Sequence, residues 1–201
     1  MGGLAVLFLL GIYIVITVVL VTKVKGLPYK AVALLVMLLI PTADAIYGRY
    51  KLKQMCAAEG GLKVYRVAHG VDGFMGSGAA DEYLVKHYGY KFSEGHGTTG
   101  KYYRVSMKNG EIAIEDNVNP LSKYQVRLAT SDMSKIYWQQ SYSIETFPSG
   151  EVLATDTQIS FKGGWAERFL AAFSDAGVGS VANCNSNGLD PQKLVIAVLK
   201  S

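Results

Sequence analysis

The sequence has few of the residues on which most metal and thiol sites depend. Its 201 residues include only two cysteines and three histidines. The cysteines do not form a Cys-x-x-Cys pair, and no two histidines have metal-ligand spacing on a predicted helix. These absences argue against zinc and thiol-redox motifs. We therefore predict no cofactor and no metal, assign no catalytic residue, and regard an enzymatic role as the less favoured one.

Clustered positive charge is also missing. The formal net charge is only +4, and beyond Lys53 the lysines and arginines are dispersed. A protein that binds nucleic acid needs a basic patch or stripe that follows the phosphates. The sequence therefore predicts no nucleic-acid partner.

Charge of either sign is absent from Leu4–Thr22, which is rich in leucine, valine and isoleucine. About 20 apolar residues in a helix cross the roughly 30 Å hydrocarbon core of a bilayer. A basic loop over residues 23–30 follows, and a second apolar run extends from Leu27 to Tyr47. The sequence thus predicts two transmembrane helices within residues 1–47, with the lipid bilayer as a partner and the inner (plasma) membrane as the location.

The second apolar run has another interpretation. A basic stretch, an apolar core and Ala43-Asp44-Ala45 also resemble a secretory signal with a small-residue cleavage site. The complete apolar run upstream argues against removal of such a signal. Asp44 lies near the end of the run, where we interpret it as an interfacial acid near Arg49 rather than a functional acid within the membrane.

Cys56 and Cys184 lie at opposite ends of the remaining sequence. Either both are small buried hydrophobic residues, or they form one disulfide that closes the domain. A disulfide requires an oxidising compartment. We favour the bond, which places residues 48–201 on the periplasmic or extracytoplasmic side.

Residues 48–201 have the pattern of a single α+β domain, a mostly antiparallel sheet covered by helices. Its clearest local feature is Asn109-Gly110, the preferred pair for a two-residue hairpin turn because both positions need positive φ. This turn pairs Val105 with Ile114 and Met107 with Ile112. Alternating residues predict strands over 62–68, 102–108, 111–115, 123–130, 135–147 and 151–161. Helical spacing and capping residues predict helices over 46–58, 81–88, 165–173 and 194–199. The valines of 194–199 leave a strand as the alternative there, and a helix on the membrane surface is the alternative for 165–173.

Two glycine-rich segments, Gly70–Gly78 and Gly95–Gly100, are candidate ligand loops. Residues 95–101 match the first seven positions of a phosphate-binding loop. Tyr102 then replaces the hydroxyl residue that binds magnesium, and the expected strand and helix are missing. We therefore interpret this segment as a connection between strands. Glu94 and His96 beside it form the cluster worth testing as a site.

Several short motifs resemble those of a group of small, uncharacterised bacterial membrane-anchored proteins. They cover the second apolar run and both ends of the domain. They are Pro41…Asp44…Gly48-Arg49…Cys56, Glu59-Gly-Gly-Leu-Lys-Val-Tyr65, Gly163-Gly-Trp165-Ala-Glu-Arg168 and Ser174-Asp-Ala-Gly177…Cys184. The resemblance implies membrane anchoring and brings no activity with it. The first apolar helix is not part of the resemblance.

Two functional hypotheses follow. The first is a membrane-anchored, non-enzymatic interaction or accessory module that binds a protein partner or a second copy of itself. It predicts an exposed apolar or tyrosine-rich patch. The alternative is a membrane-tethered enzyme or small-ligand binder that uses the glycine-rich loops. It predicts that Glu94, His96 and either Asp72 or Asp81 converge in one pocket.

Overall fold

The computed structural model describes residues 2–40, 42–97, 100–171, 182–184 and 188–201. The chain forms two compact units, each built from separate segments. The first unit comprises residues 1–58, 132–138 and 159–184, and the second comprises residues 59–131, 139–158 and 185–201. The predicted helix over residues 165–173 lies partly outside the described residues, and the Ser174–Gly177 motif lies wholly outside them.

The first unit contains mostly helix. Its helices are α1 (Gly2–Lys23), α2 (Leu27–Leu39), α3 (Ala43–Glu59) and α5 (Trp165–Ala171). The last residue of α3 belongs to the second unit. The short strand β10 (Ala182–Asn183) pairs antiparallel with the end of β9 (Val152–Phe161). A small core forms where α3 meets these strand ends, around Leu52, Tyr137, Ile159 and Phe161.

The helices correct the membrane prediction. In the described part of the chain, no helix combines the length and apolar character that a membrane crossing requires. The second apolar run does not continue as one helix, because α2 ends at Leu39 and α3 begins at Ala43. With 13 residues, α2 spans only about 20 Å at 1.5 Å per residue. The predicted transmembrane hairpin over residues 1–47 and the integral inner-membrane location are therefore wrong.

The second unit contains most of the sheet and the larger core. Its remaining helices are α4 (Glu82–Tyr88) and α6 (Pro191–Val198). Its strands are β1 (Gly61–Val64), β2 (Ala68–His69), β3 (Gly73–Met75), β4 (Phe92–His96), β5 (Tyr102–Lys108), β6 (Glu111–Val118) and β11 (Leu199–Lys200), together with most of β7 (Tyr124–Asp132), β8 (Tyr137–Thr146) and β9. The core contains Phe74, Leu84, Ile144, Leu153 and Leu194.

The sheet is mixed, and its strand order corrects the expected antiparallel meander. The order is β1-β9-β8-β7-β3-β4-β5-β6, and β2 pairs separately with β11. The short strand β3 lies between β7 and β4 and is parallel to both. It falls inside the predicted glycine-rich loop over residues 70–78. Three residues are too few to show a period, and all three are buried.

Several local predictions are confirmed. β5 and β6 pair Val105 with Ile114 and Met107 with Ile112, as the Asn109-Gly110 turn requires. Asp190 caps α6 through hydrogen bonds from the backbone N–H groups of residues 192 and 193. These features depend on neighbouring residues, so they are encoded locally.

Candidate functional site

Glu94 lies in the middle of β4 and is fully buried. Its Oε1 accepts hydrogen bonds from Arg104 Nε at 2.9 Å and Arg104 Nη2 at 2.6 Å. Its Oε2 accepts from the backbone N–H of Ser122 at 3.0 Å and from Ser122 Oγ at 2.5 Å. The backbone N–H of Leu121 lies 3.1 Å from both oxygens. Protein donors therefore surround this carboxylate.

The hydrogen bonds determine the charge state of Glu94. Burial by itself raises the pKa of this carboxyl, but the hydrogen bonds from Ser122, Arg104 and the backbone of residues 121 and 122 outweigh it and hold the pKa below its ordinary value. Glu94 is therefore ionised at neutral pH. Glu94 joins β4 to the connection between β6 and β7 through its hydrogen bonds with Leu121 and Ser122. Arg104 adds to this link, because its Nη2 also donates to the carbonyl oxygen of Asn119 at 2.9 Å.

His96, the other residue of the candidate pair, is exposed at the end of β4. Its ring packs against the ring of Tyr102 with a centroid distance of 4.5 Å and an interplanar angle of 45°. It lines an open cavity of about 390 Å³ with Ser77 and Arg127, and Glu94 is not among the lining residues. His96 thus lies at the surface, whereas Glu94 is enclosed by its donors.

The two aspartates of the alternative hypothesis lie elsewhere in the second unit. Asp72 pairs with Lys91 at 2.6 Å and lines a cavity of about 280 Å³. Asp81 caps α4 and lines a different cavity, of about 470 Å³. Its Oδ2 accepts a hydrogen bond from Gln192 Nε2 at 3.0 Å. The structure therefore places these aspartates and His96 at three different cavities, of which those of Asp81 and His96 adjoin and share Gly76, Ser77 and Val126.

Arg104 was not identified from the sequence, although a signal for it exists. β4 and β5 pair Glu94 directly with Arg104. The sum of the two residue numbers is the same for every pair of this antiparallel register, from residues 92 and 106 to residues 96 and 102. Opposite charges at directly paired strand positions stabilise a sheet. Treating residues 97–101 as a hairpin connection would have predicted the pair.

Close backbone packing explains two glycines of the candidate ligand loops. A Cβ at Gly76 would lie 1.9 Å from the carbonyl oxygen of Ala79, and a Cβ at Gly95 would lie 2.4 Å from the backbone nitrogen of Ala80. Both distances are far below ordinary contact. Gly76 therefore allows the tight turn at residues 76–79, and Gly95 allows residues 79 and 80 to lie directly on β4. Residues 98 and 99 of the second loop lie outside the described residues.

The first unit contains the two cysteines and most of the described family-like motifs. Cys56 and Cys184 form a disulfide, which confirms the favoured pairing. Asp44 accepts a hydrogen bond from the backbone N–H of Trp165 at 2.5 Å, so it caps α5. Arg49, the expected neighbour of Asp44, pairs instead with Glu167.

Arg168 of α5 has a buried Nε with no hydrogen-bond partner, and Oδ1 of Asp44 is likewise buried and unpaired. An unpaired buried donor costs on the order of 1–3 kcal/mol. Arg168 lines an open cavity of about 650 Å³ within the first unit.

α1 and α2 expose apolar side chains to an unusual extent. Consecutive residues of α1 are exposed, so more than one side of the helix is open. The apolar hairpin is defined here as the exposed residues Ile12, Ile14, Val15, Ile16, Val18, Val19, Leu20, Leu27, Val32, Leu34, Leu35, Val36 and Leu39. A helix that is apolar all round is normally buried. Exposed apolar patches of this kind mark interaction sites.

Metal ligands do not converge in the described residues, where no group of three or more His, Cys, Asp or Glu could hold an ion. Comparison with family models, curated proteins and solved structures gave no match. Functional inference therefore starts from the residues themselves.

Proposed function

We propose that this chain is a non-enzymatic protein-interaction module that docks through its apolar hairpin onto a partner protein. The supporting observation is the exposure of aliphatic side chains such as Val15, Val19 and Leu35, which are 62%, 50% and 57% exposed. Burying such a side chain fully contributes about 1.5–3 kcal/mol. Covering even part of the hairpin would therefore provide a large driving force for association.

Charge at the tip of the hairpin specifies the partner further. Lys23 and Lys25 lie at the connection between α1 and α2 and are exposed. Neither forms an ion pair with a described residue. The partner that fits this arrangement is a protein with an apolar groove, formed by helices, and acidic residues at one end. The apolar contacts would supply affinity, while the lysines would set orientation and the rate of association.

Photo-crosslinking in cells tests the proposal. A photoreactive phenylalanine analogue at Val15 or Leu35 should give an adduct of one defined mass with another protein. The same analogue at Ile114, an exposed apolar position in the second unit, is the matched control. Replacing Lys23 and Lys25 with glutamate should reduce the Val15 adduct.

The mass of the adduct distinguishes a partner protein, a second copy of the chain and lipid as the molecule that covers the apolar hairpin. An adduct of twice the chain's own mass would replace the partner protein with a second copy. No protein adduct, adducts with lipid alone, or equal crosslinking from Ile114 would refute docking through the hairpin.

A small-ligand binder is the second candidate, supported by one observation in the second unit. Ser77, Asp81 and Gln192 line the cavity of about 470 Å³ together with Phe74 and Val195. Sites for small ligands combine apolar walls with a few placed polar groups in this way. A metabolite screen by thermal shift should then give hits that Gln192→Leu abolishes. Hits that persist in that variant would count against this cavity.

A further inference from the structure

A second feature of the first unit supports an inference that does not depend on docking through the apolar hairpin. An open cavity of about 650 Å³ is lined by residues of α3, of segment 133–137 and of α5. We propose that this cavity binds an organic anion with an apolar body, such as a carboxylate on a hydrocarbon chain. Its volume is within the range of about 300–1,000 Å³ that is typical of small-molecule sites.

The walls of the cavity supply the apolar part of this recognition. Tyr47, Lys51 and Met55 follow one another at intervals of four in α3, so they lie along one side of the helix. Tyr137 is buried, and its hydroxyl donates to the carbonyl oxygen of Gly48 at 2.8 Å. Ile136 and Met55 complete this surface. Methionine adapts to apolar ligands of varied shape because its side chain is unbranched and polarisable.

Three cations supply the charged part. Lys51, Lys135 and Arg168 line the cavity, and no residue of its described lining carries a carboxylate. Within the described residues, none of the three cations forms an ion pair.

The described acids of the first unit do not line the cavity. Glu167 pairs with Arg49, and Asp132 pairs with Lys162. Asp44 accepts the backbone N–H of Trp165 through Oδ2, while its buried Oδ1 has no partner. The described lining of the cavity therefore carries three cations and no carboxylate.

Arg168 indicates a carboxylate in particular. Its buried Nε lacks an acceptor, and a guanidinium binds a carboxylate through two parallel hydrogen bonds. A carboxylate entering from the cavity would satisfy this group, while Lys51 and Lys135 would add attraction from the cavity rim. The apolar walls distinguish such a ligand from inorganic phosphate, which has no apolar part.

Calorimetric titration of the full chain with decanoate tests the proposal. Decylamine and inorganic phosphate are the comparison ligands, because each lacks one of the two recognised parts. Lys51→Gln should raise the Kd for decanoate about threefold to fivefold, as expected for an exposed ion pair. Lys53→Gln is the matched control, since Lys53 is exposed on the same helix and does not line the cavity. Arg168→Gln should raise the Kd about tenfold or more, as expected for a lost hydrogen bond to a charged group.

The paired lysine variants also separate this cavity from adsorption onto the apolar hairpin, which would not distinguish Lys51 from Lys53. Preference for decanoate over both comparison ligands, together with a larger effect of Lys51→Gln than of Lys53→Gln, supports the proposal. Equal binding of decylamine, equal binding of phosphate, or equal effects of the two lysine variants would overturn it. If Arg168→Gln does not fold, the lysine pair still decides the question.

Discussion

Replacing Glu94 with glutamine removes one charge from a buried ion pair while preserving the shape of the side chain. Breaking a buried pair costs about 3–5 kcal/mol when the remaining charge is left without a partner. Arg104 retains the carbonyl oxygen of Asn119 at 2.9 Å and Glu115 at 3.8 Å. We therefore expect the lower end of this range, a loss of about 3 kcal/mol in the free energy of unfolding.

The same substitution changes the pH dependence of stability. The folded pKa of Glu94 is below its unfolded value, so the ionised carboxylate stabilises the fold above the unfolded pKa. This contribution is lost as the pH falls from about 4.5 through the folded pKa. The slope can reach about 1.4 kcal/mol per pH unit for one proton. Glu94→Gln should remove this part of the acid sensitivity.

Urea unfolding at pH 7 and at steps down to pH 3 measures both effects. Glu111→Gln is the control, because Glu111 is an exposed glutamate at the start of β6. It should leave the urea midpoint and its pH dependence nearly unchanged. A loss below about 1 kcal/mol in Glu94→Gln, which is no more than an ordinary hydrogen bond contributes, would refute the reasoning. An acid sensitivity equal to that of the wild type would also refute it.

Three further changes test other parts of the structure. Gly48→Ala places a Cβ 2.3 Å from Phe161 Cζ; it should cost about 1–3 kcal/mol by overpacking, and a second change, Phe161→Leu, should recover part of the loss in a thermal melt. Cys56→Ser with Cys184→Ser should lower the free energy of unfolding by about 2–5 kcal/mol, and thiol labelling of the unfolded wild type should require reductant. Burial raises the pKa of Asp156, so its ionisation opposes folding at neutral pH; Asp156→Asn should raise the urea midpoint at pH 7, and this gain should shrink as the pH falls towards 4.

Local signals account for the parts of the fold that were predictable. The register of β5 and β6 follows from Asn109-Gly110, because both residues have positive φ, 54° and 85°. The cap at Asp190 follows from Asp-Pro at the start of an apolar segment. In each case, the residues that determine the structure are neighbours in the sequence.

Features that depend on distant partners were not predictable in the same way. β3 has three residues and is a strand because β4 and β7 lie beside it. Glu94 looked like a candidate reactive group beside His96. Its donors at residues 121 and 122 lie 27 and 28 positions away. The cavity beside Arg168 likewise combines three segments that are remote in the sequence.

The membrane prediction failed for a different reason. Composition alone treated the second apolar run as one element, whereas the backbone divides it between α2, which ends at Leu39, and α3, which begins at Ala43. Hydropathy averaged over a window does not detect where a helix ends.

The tight backbone contacts at Gly76 and Gly95 have a consequence for mutational scanning. The chain's own atoms fill the space that any side chain at these two positions would need. A scan of all single variants would therefore rank both glycines among the least tolerant positions, even in a protein that binds nothing there. Intolerance at these glycines would reflect the path of the main chain. A mutational search for the residues that bind a partner or ligand should therefore not count these two positions.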